Sequence, residues 1–92
     1  MSPELIRRRL IVHGRVQGVF FRDSTREAAE HAGVAGYAVN RDDGTVEVVL
    51  EGRPEAVGKV ADFCRAGPGH ASVERVESIV EEPVGLEGFR IR

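Results

Sequence analysis

Two segments of the chain place small and apolar residues at intervals of three, four and seven, which is the spacing of an amphipathic helix. The first segment begins at Phe21 and is followed by Gly33, a residue typical of a helix C-terminus. The second begins at Pro54, a residue favoured at the first helical position, and is stopped by Gly67-Pro68-Gly69. The positions predicted to face inward are Phe21, Thr25, Ala28, Ala29 and Ala32 in the first helix, and Val57, Val60, Ala61 and Cys64 in the second.

Alternating or β-branched apolar positions predict four strands around these helices, over residues 8–13, 34–40, 45–51 and 73–80. The turn signal at residues 41–44, Arg-Asp-Asp-Gly, joins the second and third strands into a hairpin. An irregular phase near the start of the fourth strand predicts a bulge. The residues that carry these patterns are Leu10 and Val12; Val46, Val48 and Leu50; Val73 and Val76; and Phe89 and Ile91, which share a face in a short terminal strand.

The order β-α-β-β-α-β is that of the ferredoxin-like, or split-βαβ, fold. We therefore predict an α+β sandwich with an antiparallel sheet, two helices on one sheet face and a short C-terminal strand. In this arrangement the first two strands run parallel, with the third inserted antiparallel between them. Their C-terminal ends then emerge at the same edge, about 10 Å apart at the usual strand spacing. The loop after the first strand, the start of the first helix and Asn40 are expected to meet there.

Composition narrows the class of protein. The 92 residues suit a single domain over residues 1–92, and 41% hydrophobic with 30% charged residues is an ordinary globular balance. No apolar run approaches the ~20 residues of a membrane span, and the N-terminus lacks the apolar core of a signal peptide, so we predict a cytoplasmic protein without membrane contact. One cysteine excludes an intrachain disulfide. A net charge of −2 argues against a dedicated nucleic-acid binder.

The bases are unevenly distributed. Five arginines and no acid lie between Arg7 and Arg22, whereas residues 47–92 hold nine acids against six bases. A locally basic stretch on an acidic protein suits a small anion better than a long polyanion. For residues 7–9, however, we expect only that the arginines solvate the start of a strand.

The loop that leads into the first helix has the features of an anion site. Unpaired N–H groups and the helix dipole favour an anion at a helix N-terminus, and Gly14 and Gly18 allow the backbone to turn its N–H groups inward. An ordinary strand-to-helix turn would explain the same glycines. Arg22 is the more informative residue, because a cation in the first helical turn opposes the dipole by about 0.3–1 kcal/mol unless an anion shares the site. The planar guanidinium of Arg22 can donate two parallel hydrogen bonds to two oxygens of a phosphate group.

Other residues that could carry chemistry have simpler interpretations. Asn40 ends the second strand, where asparagine also commonly caps turns, and the turn explains Asp42 and Asp43 better than an acid–base pair does. The helical core spacing of Cys64 indicates an inert buried thiol. The three histidines lie in three different predicted elements, so we predict neither a metal nor a cofactor. They are His13, His31 and His70.

Two stretches of the chain resemble the two signatures of the acylphosphatase family. Residues 14–22, Gly-Arg-Val-Gln-Gly-Val-Phe-Phe-Arg, match the pattern G-x-V-Q-G-V-x-F-R at each specified position. Residues 36–47 resemble the second pattern, G-[WY]-x-x-N-x-x-D-G-x-V-E. Tyr37 stands where the family more often has tryptophan, and Val39 where a polar or basic residue is common. Similar features at residues 67–68 and 88–91 extend the resemblance over nearly the whole chain.

The resemblance implies hydrolysis of a small acyl phosphate to a carboxylate and inorganic phosphate, without a metal or a covalent intermediate. By similarity, Arg22 and backbone N–H groups of the preceding loop hold the phosphoryl group, and Asn40 positions the attacking water. A carboxylate leaves without a general acid, and fixed donors stabilise charge on the phosphoryl oxygens. We expect a monomer, with phosphate as product and competitive inhibitor. The predicted loop residues are Arg15, Val16, Gln17, Gly18, Val19 and Phe20.

Two alternatives remain open at this stage. A non-enzymatic regulatory module of the same fold would bind a small anion at the same edge without consuming an acyl phosphate. An acylphosphatase-like domain of a larger carbamoyl-transfer protein would share both signatures, although Met1 and an end near Arg92 are not what we expect of such a fragment. Fold alone does not separate these functions.

Overall fold

Both helices lie where the sequence predicts them in the computed structural model, which describes residues 4–92. Helix α1 spans Phe21–Ala32 and helix α2 spans Pro54–Ala66. The main chain of Gly33 is left-handed, with φ of 73°, and its N–H donates to carbonyls of the last turn of α1. Pro54 opens α2 as expected. Within residues 4–92, neither helix is long and apolar enough to cross a bilayer.

The four longer predicted strands are present, each with ends within two residues of the predicted ones, and so is the short terminal strand. They are β1 (Ile6–Arg15), β2 (Ala35–Asn40), β3 (Val46–Gly52), β4 (Ser72–Glu81) and β5 (Phe89–Ile91). The longest extension is in β1, because its main chain stays paired with β4 through Gly14 and Arg15. Ladder hydrogen bonds continue here although the side chains no longer alternate.

The sheet has the strand order β4-β1-β3-β2-β5. Strand β3 is antiparallel to both β1 and β2, so the predicted parallel pair with an inserted third strand is confirmed. Strand β5 adds a parallel pair with β2, which makes the sheet mixed, whereas its four longer strands are antiparallel as predicted. The predicted bulge is also present. The register shifts where His13 lies opposite Arg75 and Gly14 opposite Val73, which leaves Glu74 as the extra residue.

A single hydrophobic core lies between the helices and one face of the sheet. The predicted inward residues of β1, β3 and α2 are all buried, whereas Ala28 and Ala32 of α1 are only partly so. Burial raises the pKa of the Cys64 thiol to about 11, which keeps the sulfur protonated and unreactive as predicted.

The other sheet face carries ion pairs, which corrects the prediction that residues 7–9 only solvate a strand. Arg7 and Arg9 donate to the two carboxylate oxygens of Glu81 at 2.9 and 2.8 Å, and Arg9 also pairs with Glu47. Hydrogen bonds from Arg9 and then Arg7 lower the pKa of Glu81 to about 2. Adjacent antiparallel strands bring these side chains together, a register that the basic run alone does not reveal.

Candidate active site

The β1–α1 loop (residues 16–20) has the backbone of an anion-binding turn. Gly18 and Phe20 both have positive φ, 73° and 60°, and among residues 4–92 Phe20 is the one non-glycine residue with this conformation. Strain of this kind is of order 1–3 kcal/mol and concentrates at functional sites. Within the described chain, the N–H groups of residues 17–20 donate to no main-chain oxygen. They are therefore available to an anion at the N-terminus of α1.

Arg22 lies in the first turn of α1 and keeps most of its donors free of protein partners. Its Nη1 donates to the main-chain oxygen of Arg92 at 2.9 Å. Among residues 4–92, no acidic side chain pairs with Arg22, whereas Arg7, Arg9 and Arg26 all form ion pairs. No acidic side chain in this range therefore neutralises its positive charge, which lies at a helix end that already favours anions.

Asn40 ends β2 with an unsatisfied oxygen. Its Oδ1 is buried and has no hydrogen-bond partner, the one such side-chain atom within residues 4–92. An unpaired buried acceptor costs about 1–3 kcal/mol, so its presence calls for an explanation. A ligand or water that donates to Oδ1 would remove this penalty.

The turn that follows Asn40 is held from two sides. Asp43 accepts hydrogen bonds from the hydroxyl and N–H of Thr45 at 2.6 and 3.0 Å, and these bonds lower the pKa of its carboxyl. The Gln17 side chain donates from Nε2 to the carbonyls of Arg41 and Thr45 at 2.7 and 2.9 Å. The turn interpretation of Asp43 is thus confirmed, and Gln17 links the β1–α1 loop to the turn that carries Asn40.

Arg22, Asn40 and part of the β1–α1 loop surround one small cavity of about 240 Å³. Of the predicted site residues, Val16, Gly18, Phe20, Arg22 and Asn40 line it. Three predicted phosphate-binding residues do not: Arg15 is part of β1, the Gln17 side chain reaches the β2–β3 turn, and Val19 packs against the core.

The cavity has three further lining residues that the sequence did not single out, Phe21, Asp23 and Ile91. Phe21 and Asp23 are neighbours of Arg22, so the helix start itself was the available signal. Ile91 is brought in by the pairing of β5 with β2, for which the local pattern holds no signal.

A larger groove of about 770 Å³ lies between α1 and α2. Its rim includes the acids Glu27 and Glu30 and a single lysine, Lys59. Carboxylates disfavour a phosphoryl dianion. The small cavity also has one acid on its wall, Asp23, but Asp23 pairs with Arg26 and the same wall holds Arg22, so the small cavity is the better anion site. The histidines do not change this picture: within residues 4–92, no three His, Cys, Asp or Glu side chains cluster as metal ligands would.

Comparison with known proteins adds independent information. The family model described as Acylphosphatase matches residues 8–91. Curated proteins named Acylphosphatase are similar over most of their length. One from Rubrobacter xylanophilus is 55% identical, covering 91% of this chain and 77% of its own. One from Gloeobacter violaceus is 49% identical, covering 94% and 92%. The solved structure of an acylphosphatase from Coxiella burnetii superimposes with a TM-score of 0.91 at 32% identity, covering 96% of this chain and 93% of that one.

Proposed function

The chain belongs to the acylphosphatase family, and from this premise we propose how its small cavity hydrolyses acyl phosphates. The reaction cleaves the carboxyl–phosphate bond to give a carboxylate and inorganic phosphate. One observation carries the assignment of the site: the guanidinium of Arg22, which no acidic side chain of residues 4–92 neutralises, and the unpaired Oδ1 of Asn40 line the same cavity. The guanidinium offers positive charge and hydrogen-bond donors to a phosphoryl group, and Oδ1 offers a hydrogen-bond acceptor to a water molecule.

The phosphoryl group of the substrate binds at the N-terminus of α1. The free N–H groups of the β1–α1 loop and the remaining guanidinium donors of Arg22 contact its oxygens. These donors are fixed before substrate arrives, so they stabilise the charge that spreads over the phosphoryl oxygens in the transition state. The dipole of α1 acts in the same direction.

Asn40 positions the attacking water. Its Oδ1 accepts a hydrogen bond from the water, which turns a lone pair of the water oxygen toward phosphorus. The new P–O bond forms as the bond to the acyl oxygen breaks, and the bonding pair leaves with the carboxylate. Asn40 is not a base, so a phosphoryl oxygen of the substrate accepts the proton of the water. No group on the protein changes its protonation state.

The cavity suits a small acyl phosphate and a reaction without metal or covalent intermediate. Its volume of about 240 Å³ lies below the range of roughly 300–1,000 Å³ that is typical of drug-sized ligands. A carboxylate leaving group has a conjugate acid of pKa about 4, so it needs neither protonation nor a Lewis acid. Activity is therefore expected to survive exhaustive treatment with EDTA.

The remaining features of the proposal concern the protein as a whole. Residues 1–92 act as one cytoplasmic domain and as a monomer, and inorganic phosphate is both product and competitive inhibitor. Residues 1–3 of this range lie outside the described residues. The core between two helices and one sheet face supports a single folding unit.

The test is hydrolysis of acetyl phosphate by Arg22 variants. Arg22→Ala should lower kcat/KM by about 10³-fold or more, because it removes both the charge and the fork. Arg22→Lys should remain about 10²-fold impaired, because an ammonium cannot make the two-pronged contact. Arg26→Ala is the matched control: it removes an arginine one turn further along α1, whose Nη2 pairs with Asp23 at 3.5 Å. Near wild-type activity in Arg22→Lys would show that a two-pronged guanidinium contact is not required. Binding of phosphate by the wild-type protein without hydrolysis of acetyl phosphate would favour the regulatory module.

A further inference from the structure

Glu51 is a buried acid that the proposed mechanism does not use. It lies near the end of β3, is 3% exposed and is the one acidic residue buried within residues 4–92. Its carboxylate oxygens accept three hydrogen bonds from consecutive main-chain N–H groups, those of Val84, Gly85 and Leu86, at 2.9, 2.8 and 2.7 Å. The Arg7 guanidinium lies 3.7 Å away. A buried carboxylate with this many donors is an organised contact.

The segment that Glu51 holds connects β4 to β5. Residues 82–88 form neither helix nor strand, and Gly85 has a positive φ of 82°. Among the described residues, the N–H groups of Val84, Gly85 and Leu86 have no main-chain acceptor, so the side chain of Glu51 stands in for one. The segment is thus fixed by a carboxylate on a neighbouring strand.

Strand β5 is short and depends on this attachment. It has three residues at the sheet edge, flanked by one bond from Gly36 N–H to the Gly88 carbonyl and one from Arg92 N–H to the Ala38 carbonyl, both 2.9 Å. So short a parallel strand is marginal by itself. Fixing the preceding segment lowers the entropy lost when β5 docks.

The active-site cavity depends on β5 in two ways. Ile91 forms part of its wall, and the main-chain oxygen of Arg92 accepts the hydrogen bond from Arg22 that orients the guanidinium. Glu51 itself lies at the far end of the hairpin: it pairs with Ala35 at the start of β2, whereas Asn40 ends that strand. The influence of Glu51 on the cavity would therefore pass through β5.

We propose that Glu51 is a positioning residue whose carboxylate anchors segment 82–88 and thereby docks β5, so that Ile91 and Arg92 complete the phosphate cavity. This inference rests on the proposed function of that cavity. Burial alone would raise the pKa of Glu51, but the three N–H donors and then Arg7 outweigh it and lower the pKa, so the anchor is ionised at neutral pH. A glutamine cannot replace it, because its amide offers one oxygen and turns N–H donors toward N–H donors.

The proposal makes a specific kinetic prediction for Glu51→Gln. If β5 is docked for only a fraction of the time, the apparent Kd for phosphate rises by the inverse of that fraction, and bound substrate restores docking. KM for acetyl phosphate and Kd for phosphate should therefore rise together, by about tenfold, with kcat within about twofold of wild type. Amide exchange at Gly36 and Arg92, measured by NMR without substrate, should accelerate by about tenfold or more.

Two further variants make the result decisive. Glu81→Gln removes an acid that pairs with Arg7 and Arg9 but does not contact segment 82–88 through its side chain, so it should lower stability and leave KM unchanged. Gly85→Ala alters the segment while keeping Glu51: its φ disfavours alanine, although no atom lies within 4 Å of the new Cβ. It should raise KM in the same way, even if Glu51→Gln does not fold.

Faster exchange at Arg92 with unchanged KM would overturn the proposal, because β5 docking would then not affect the cavity. Unchanged exchange in both Glu51→Gln and Gly85→Ala would overturn it as well. Neither result concerns the role of Arg22, which the alanine and lysine variants test independently.

Discussion

Two amide side chains near the active site, those of Gln17 and Asn40, have opposite hydrogen-bonding states. Gln17 donates from Nε2 to two carbonyls of the β2–β3 turn, so its amide group is committed to structure. The Oδ1 of Asn40 is buried with no partner. At the scale of single residues, this difference separates a side chain that holds the site together from one that is available to a reactant.

A substitution of Asn40 should therefore affect chemistry more than binding. Asn40→Ala removes the acceptor that orients water, and loss of a well-placed positioning contact is expected to lower kcat by about 10²-fold. Phosphate affinity, measured by competitive inhibition, should change little, because the donors proposed to bind phosphate belong to the β1–α1 loop and Arg22. Arg22→Ala provides the contrast, since it should weaken both kcat and phosphate binding. Equal losses of phosphate affinity in the two variants would instead make Asn40 a substrate contact.

At the scale of elements, the hairpin that carries Asn40 depends on one close approach between strands. Gly36 in β2 has φ of 147°, and a Cβ built there would lie 1.7 Å from the Val49 carbonyl oxygen of β3. The atom that the Cβ would meet belongs to the backbone of β3, so no side chain can move aside.

Gly36→Ala should lower the free energy of unfolding by at least about 2 kcal/mol, through strain and separation of β2 from β3. Gly58→Ala is the matched control, because Gly58 lies inside α2 with no atom within 4 Å of the new Cβ. Alanine there should raise the free energy of unfolding by about 0.5–1 kcal/mol. Urea unfolding of both variants checks the opposite signs, and equal effects would contradict the close approach.

The elements also show which parts of the fold and site can be predicted from the sequence. Periodicity was sufficient for both helices and for β1 to β4, because each turns apolar side chains toward the core at a fixed period, although in β4 Val73 and Val76 are only partly buried. The sequence also led to Arg22, which is unfavourable in a first helical turn unless an anion is near. The contacts of Ile91 and Glu51 could not be predicted from the local pattern, since each is made with a part of the chain that is distant in sequence. Ile91 reaches the cavity through the pairing of β5 with β2. The N–H partners of Glu51 lie 33 to 35 residues away in sequence.

At the scale of the whole molecule, a net charge of −2 coexists with the proposed site for a doubly charged anion. The positions of the acids account for this. Glu47 and Glu81 pair with Arg7 and Arg9 of β1, and Glu51 accepts hydrogen bonds from N–H groups, so none of these three carboxylates lines the cavity. The acid that does line it, Asp23, pairs with Arg26. Arg22 has no such partner within residues 4–92. Local compensation therefore matters more for anion binding than the overall charge does.

The anion site should be visible in the stability of the entire domain. If the β1–α1 loop and Arg22 are arranged before substrate binds, phosphate binds the folded state alone, and at ~100 times its Kd it adds about 2.7 kcal/mol to the free energy of unfolding. For a domain of this size, each kcal/mol raises Tm by about 4–8 °C, so thermal unfolding resolves the effect easily. Sulfate should substitute in part, because it presents a similar tetrahedron of oxygens, whereas chloride at equal ionic strength should do much less. Arg22→Ala should lose most of the phosphate-specific shift, and Arg26→Ala should keep it. A phosphate shift no larger than that of chloride, and undiminished in Arg22→Ala, would reflect general screening of charge and would contradict a preformed site.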